Sequence, residues 1–290
     1  MSATTAYFIQ FTIVYLLLTW AFYIPMKGGL LYAGPIYSMA IGGYFAAFMV
    51  REMGWPLWLV LIAVLLVGAI VGVLPALGLA RTKGIAAGMA SIALVFMIQS
   101  VIRNLDFLGG SVGFYMPRVS YVEILSYISV VVVGVFIFRL ERSRFGRALE
   151  AMREDPDLAA SMGINVNRIN LYSLTLSSVI GAVAGVLFAF NLGAIYPDSF
   201  GFDLMLYATT MLFVGGRFTM WGAVITAPVL FGLPIWLPHS FATYSNYIYG
   251  ALLVIVLILR PQGVVTRELL RRITLSRIWQ RGKRAKSSAA

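Results

Sequence analysis

The chain alternates long apolar runs with short polar joints. Nine apolar segments can be drawn, at roughly 7–26, 35–50, 57–79, 85–103, 122–138, 169–190, 203–215, 219–233 and 246–260. Continuous runs of this length predict helices, whereas a β-barrel would show short alternating segments. A perpendicular bilayer crossing needs about 20 residues. The segments at 35–50, 203–215 and 219–233 fall short of that, so broken, tilted or partial crossings are expected there. The fold class is all-α and polytopic: a bundle of about 8–9 transmembrane helices, some short or broken. The 203–233 pair is open between two crossings and a re-entrant hairpin.

One polar run interrupts this pattern, from Arg139 to Asn170. It holds the arginines Arg139, Arg142, Arg144, Arg147, Arg153 and Arg168 and the acids Glu141, Glu150, Glu154, Asp155 and Asp157. Phe145, Ala148, Leu149 and Met152 fall at i, i+3, i+4 and i+7, one face of a helix. Asp155 followed by Pro156 predicts a second helix, because an acidic N-cap accepts the first amides and proline loses nothing at the first position. Leu158, Ala159 and Met162 continue an apolar stripe, and Gly163 is placed to end it as a C-cap. Two short amphipathic helices are therefore expected. They are either a linker lying on lipid or a docking platform for a partner protein, and the second reading explains the degree of order better.

Composition narrows the class. Hydrophobic residues make up 60% of the 290 and charged residues 11%, against about 25% charged in soluble domains. The net charge of +11 would suggest nucleic acid in a soluble protein. Here the basic residues sit at segment ends and in the tail, which membrane topology explains. With the N-terminus outside and each segment crossing once, nineteen of the 22 Lys and Arg residues fall inside, leaving Arg51, Arg103 and Arg118 outside. No Lys or Arg precedes Lys27, so the positive n-region of a secretory signal is missing and the first segment is expected to be a retained span. The expected organisation is a transmembrane domain over 1–265, containing a cytoplasmic loop at 139–169, and a basic cytoplasmic tail at 266–290 that reads as an amphipathic helix on anionic lipid.

Small residues and isolated polar groups mark the interior. Pro35 and the Gly42–Gly43 pair fit either non-helical backbone buried at membrane depth or close helix packing. Gly68/Gly72, Gly84/Gly88 and Gly181/Gly185 have the i, i+4 spacing that lets helices approach closely. Gln99, with Ser91 two turns before it, fits an interhelical hydrogen bond better than a pore lining. Ser111, Asn191 and Asp203 lie in the expected outer segments, and with Gln99 they are candidates for the pathway or outer face. His239 lies in a further outer loop with no second metal ligand nearby.

Several chemistries are absent. There is no cysteine, hence no thiol catalysis, Fe–S cluster or disulfide. There is no G-x-x-x-x-G-K-[ST] loop, H-E-x-x-H or G-x-S-x-G. Glu52, Glu123, Asp203 and Glu268 all sit near segment ends, so no mid-membrane carboxylate of an ion-coupled carrier is evident. A transporter of this composition would draw its energy from elsewhere, and the central loop is the place to receive it. A membrane enzyme is disfavoured because no catalytic cluster or metal-ligand set occurs.

The stretch FGRALEAMREDPDLAASMGINVNRINLYSLTLSSVIGAVAGVLF resembles the signature region of branched-chain amino acid ABC transporter permeases of the LivM/LivH type. RTKGIAAGMASIAL (81–94), LGGSVGF (108–114), LFVGGRFTMWGAVITAPVL (212–230) and LRPQGV (259–264) match in the same order, so the resemblance covers about 28–265. Where the family shows S-D-G this chain has Ser111, Val112 and Gly113, and Phe218–Thr219–Met220 replaces the family's G-S-x. The permease pattern E-A-A-x-x-x-G is met loosely by Asp157, Leu158, Ala159 and Gly163.

The resemblance implies a permease subunit of an ABC importer in the bacterial inner membrane, working by alternating access. Its expected partners are a second homologous permease subunit, two cytoplasmic ATPases and an extracytoplasmic solute-binding protein. ATP and magnesium would be used by the ATPase, and this chain would hold no cofactor or metal. The cargo would be a branched-chain or other hydrophobic amino acid, with amides, urea or a small organic acid as alternatives. The ATPase-coupling residues would be Phe145, Gly146, Arg147, Leu149, Glu150, Met152, Arg153, Glu154, Asp157, Ala159, Ala160 and Gly163. Phe145, Leu149 and Met152 are expected to anchor the partner. Arg147, Glu150, Arg153 and Glu154 would add charge complementarity, so Glu150→Ala would cost about 0–1 kcal/mol as a rim ion pair. An ATP-independent facilitator or channel remains the alternative.

Overall fold

In the computed structural model, the described residues are 3–82, 85–117, 119–216, 219–236, 245–259 and 263. Their helices are α1 (Ala3–Lys27), α2 (Gly34–Glu52), α3 (Leu57–Leu79), α4 (Ile85–Arg103), α5 (Val122–Arg142), α6 (Arg144–Glu154), α7 (Pro156–Ser161), α8 (Val166–Leu192), α9 (Phe202–Gly215), α10 (Met220–Trp236) and α11 (Ser245–Leu259). All nine apolar segments are helical, which makes this an all-α polytopic membrane protein. Five of the helices, α1, α3, α4, α5 and α8, are long and apolar enough to span a bilayer. Two short strands, β1 (Phe114–Tyr115) and β2 (Ala194–Ile195), pair antiparallel. The basic tail and His239 lie outside the described residues.

Helix α8 is the axis of the bundle, with α1, α2 and α3 packed around it. Small residues make this possible. A β-carbon on Gly42 would meet the Ala182 carbonyl oxygen at 2.5 Å, and one on Gly181 would meet the Pro35 carbonyl oxygen at 2.6 Å. On the α3 side, Gly72 faces Ser178 and Gly68 faces Ala182. In a bilayer the gain comes from van der Waals contact between close backbones, because lipid tails already satisfy apolar side chains.

The joint between α1 and α2 is non-helical and mostly buried, with Gly29 and Leu31 exposed. Residues 28–33 leave the end of α1, and Leu30, Tyr32 and Ala33 are each less than a tenth exposed. The Tyr32 hydroxyl lies 3.2 Å from Ser178 Oγ. Twelve residues separate Val166 from Ser178 along α8, so Tyr32 sits about 18 Å from the start of that helix at 1.5 Å per residue. Irregular backbone at such depth needs partners from protein. They are present: the Leu30 amide donates to the Pro25 carbonyl at 3.1 Å, and the Ala33 amide donates to Ser91 Oγ at 3.0 Å. Both readings of this region hold in part. The breaker is the 28–33 stretch ahead of Pro35, while Gly42 and Gly43 lie within a continuous helix and serve packing.

The two ends of the bundle differ. One end carries Lys27, Arg81 and the 139–169 loop, and is called the loop end below. The far end carries Arg51, Arg103, the two-stranded sheet and the start of α9. The α9–α10 hairpin begins at the far end and turns near the loop end, where the Met220 amide donates to Glu141 Oε1 at 3.1 Å. Gly215 and Gly222 close the turn; a β-carbon on either would strike the other's backbone.

Candidate coupling platform and its buried anchor

The platform begins where α5 ends. Ser143 caps α6, its Oγ accepting from the Gly146 amide at 3.2 Å. Gly146 sits in the elbow, where a β-carbon would lie 2.3 Å from the Leu140 carbonyl oxygen. Asp155 caps α7, with Oδ1 accepting from the amides of Asp157 and Leu158, both at 2.9 Å. At the other end of α7 the Gly163 amide donates to Ala160 and the Ile164 amide to Ala159. Gly163 has φ +85°, the left-handed conformation that glycine adopts without a steric cost. Asn165 then caps α8 through the Arg168 amide at 3.0 Å. Each helix end in this loop is thus satisfied by its own side chains or by a glycine turn.

The apolar face of α6 turns inward. Leu149 is fully buried and Met152 is 4% exposed; Phe145 packs at the edge of the same core. The expectation that Leu149 and Met152 anchor a partner is therefore corrected: both hold α6 to its own bundle. The physical reason is that Gly28, at the end of α1, leaves space that the Leu149 side chain fills. Arg153 lies over Gly29 in the same way and forms an ion pair with Glu154.

Glu150 is also turned inward. It pairs with Lys27 at 3.0 Å, and Lys27 is 1% exposed. Glu141 stands 4.0 Å from the same ammonium and accepts a hydrogen bond from the Tyr23 hydroxyl. Lys27 itself reaches that hydroxyl at 3.5 Å. The Met220 carbonyl accepts from Trp20 Nε1 at 3.1 Å. One buried cation therefore joins α1, α5, α6 and, through Glu141, α10. The cost of breaking a rim ion pair does not apply to Glu150, because removing it strands a buried charge, which is far costlier than breaking an exposed pair. Sequence reasoning missed Lys27. Its signal was a single lysine inside an otherwise apolar and glycine-rich stretch.

The outward face belongs to α7. Leu158 is 60% exposed and Met162 76% exposed, while Ala159 points into the protein. Asp157, Ala160 and Gly163 are exposed beside them, as are Arg147 and Glu154. Between the platform and the bundle lies a crevice of about 210 Å³, lined by Gly29, Arg81, Arg153, Asn167 and Asn170 among others.

The four far-end candidates do not form one site. Gln99 Nε2 donates to the Pro197 carbonyl at 3.1 Å and to Asp198 Oδ1 at 3.3 Å. Asp198 also pairs with Arg103. Gln99 thus ties α4 to the turn before α9 rather than to another long helix of the bundle. Ser111 and Asp203 are exposed, and Asn191 is half-buried; none of the three is hydrogen-bonded to Gln99. A hydrogen bond with Tyr115 raises the Tyr196 phenol above its usual range. Deeper in, Tyr32, Tyr37 and Ser178 form a buried hydroxyl cluster at the start of α2. No group of three or more His, Cys, Asp or Glu residues suited to a metal ion occurs among the described residues.

A buried axis helix thus carries a capped platform at one end of the bundle, and comparison with known families places the chain. The chain belongs to the family described as branched-chain amino acid transport system / permease component, whose model matches residues 4–257. That family is a transport permease family and not one of enzymes. LivM of Salmonella typhimurium, a high-affinity branched-chain amino acid transport system permease protein, is 36% identical over 148 residues, covering 51% of this chain and 35% of that protein. BraD of Pseudomonas aeruginosa, described in the same terms, is 31% identical over 157 residues, covering 51% of this chain and 49% of that protein. A probable LivM of Methanocaldococcus jannaschii is 24% identical over 272 residues, covering 83% of this chain and 77% of that protein. The chain thus spans about a third to a half of the first two relatives. No solved structure matches it.

Proposed function

We propose that this chain is a membrane-spanning permease subunit of an ABC importer, moving a branched-chain or other hydrophobic amino acid by alternating access. The observation that carries the reading is the pair Leu158 and Met162. Two large apolar side chains, 60% and 76% exposed, project from a short helix and its C-cap residue, with the helix ends capped and its Ala159 face buried in the bundle. Large apolar groups held on a rigid base suit a groove in a partner protein, where a few buried residues carry most of the binding energy. Arg147, Glu154 and Asp157 would supply the charged rim, which steers association more than it adds affinity.

In this reading the loop end faces the cytoplasm, the N-terminus lies outside and the C-terminus inside the bacterial inner membrane, in line with the positive-inside rule. Two ATPase subunits bind ATP and magnesium and dock on α7. A second homologous permease subunit completes the pathway, and a solute-binding protein delivers cargo at the far end.

Reconstitution tests the reading. Proteoliposomes holding this chain with its partner permease, ATPases and binding protein are expected to accumulate radiolabelled leucine, isoleucine or valine only with internal ATP. Equal ATP-independent uptake by the isolated chain would establish the facilitator instead.

A further inference from the structure

Three contacts of α6 fall on three consecutive residues at the end of α1. Glu150 pairs with Lys27 at 3.0 Å, Leu149 fills the space beside Gly28, and Arg153 lies over Gly29. From that point the chain runs through the partly buried, non-helical 28–33 segment. The segment ends at Tyr32, bonded to Tyr37 and Ser178, and at Ala33, held by Ser91. Helix α6 therefore grips one end of the segment, and α2 hangs from the other.

The grip at Lys27 is stiff for an electrostatic reason. An ammonium at 1% exposure cannot part from Glu150 and remain satisfied. Its second carboxylate, Glu141, stands at 4.0 Å and is already held by Tyr23 and the Met220 amide. Stranding a buried charge is strongly unfavourable, so a displacement of α6 carries Lys27 with it. The 28–33 segment has little slack to absorb the motion. Its amides at Gly28, Gly29 and Leu30 are bonded back to Pro25 and Met26, and its side chains Leu30 and Tyr32 are buried.

We propose that the Lys27–Glu150 pair, backed by Glu141, is the clamp through which α6 displaces the 28–33 segment and the start of α2. The proposal rests on the importer reading and names the positioning residues of its coupling step. Lys27 and Glu150 act through the segment they hold and touch no cargo.

The natural chain has no cysteine, so spin labels report only where they are introduced. Labels at Leu31→Cys, 45% exposed in the segment, and Tyr172→Cys, 50% exposed on α8, give the distance between the moving part and the axis helix. The assembled complex with its ATPases is measured with and without ATP, so no cargo is needed. The wild-type background is expected to show an ATP-dependent shift of about 2 Å or more, the scale of helix displacements in switching proteins. Glu150→Gln keeps the side chain's volume but removes its charge; it is expected to retain the ATPase and lose the shift. Glu150→Asp, which keeps a carboxylate beside Lys27, is expected to retain the shift.

An undiminished shift in Glu150→Gln overturns the clamp, as does a wild-type complex that binds ATPase without any shift. Loss of ATPase from both Glu150→Gln and Glu150→Asp also overturns it, because the pair would then only staple the fold. A wild-type chain that recovers no ATPase removes the importer reading and the clamp together.

Discussion

Gly185 lies against the backbone of Met39 so closely that a β-carbon on the glycine would meet the Met39 carbonyl oxygen at 2.0 Å. The atom it would meet is main chain and cannot rotate away. Gly185→Val is therefore expected to force α2 from α8, costing at least the roughly 1–3 kcal/mol typical of overpacking. Thermal unfolding in detergent should show a large drop in melting temperature or loss of the monodisperse species. Gly78→Val, at a glycine with open space around it, should leave both unchanged.

The caps of α7 set the shape of the outward face. Asp155→Ala removes the acceptor for two amides and is expected to cost about 1 kcal/mol. Gly163→Leu places a β-carbon on a left-handed residue and is expected to cost about 1–2 kcal/mol, although no atom lies in its way. Amide exchange across 156–163 should quicken in both variants, with α8 beyond Ser173 unaffected.

Gln10 is 4% exposed on α1, and neither polar atom of its amide has a hydrogen-bond partner among the described residues. An unsatisfied buried amide costs about 1–3 kcal/mol. Gln10→Leu is therefore expected to raise the melting temperature of the purified chain. A fall would show that the amide is satisfied in the membrane.

Lys27 makes a separate stability prediction. Lys27→Met leaves Glu141 and Glu150 facing an apolar group and is expected to destabilise the chain by about 3–5 kcal/mol. Combining Lys27→Met with Glu141→Gln and Glu150→Gln should recover much of this, because no net charge is then buried. Denaturation of wild type, the single variant and the triple variant in detergent checks the order.

Much of the fold is legible in the sequence because lipid leaves few alternatives: a long apolar run must satisfy its own backbone, and a helix does so. The platform is legible for a similar reason, since Asp155–Pro156 and Gly163 are local signals whose geometry depends little on the rest of the chain. The direction of the α6 face is not legible. Phe145, Leu149 and Met152 make the same periodic pattern whether the face meets a partner or the chain's own α1. What decides it is the gap left by Gly28, which lies more than a hundred residues away. Glu150 misled in the same manner. Its charge looks like a solvated rim until Lys27 is found buried opposite it. The partners of Gln99, Pro197 and Asp198, are not legible either, because they depend on how the far-end turn folds back.

The central claim is that α7 docks a partner ATPase through Leu158 and Met162. The most direct test is to tag this chain, extract it in mild detergent with the proteins encoded beside it, and measure the ATPase recovered. Wild type is compared with Leu158→Glu/Met162→Glu, a change confined to exposed side chains that leaves the bundle folded. The account predicts that wild type brings down an ATPase and the double variant brings down little, at equal yield of the tagged chain. Equal recovery with both would contradict the docking surface, and no ATPase with either would contradict the importer itself.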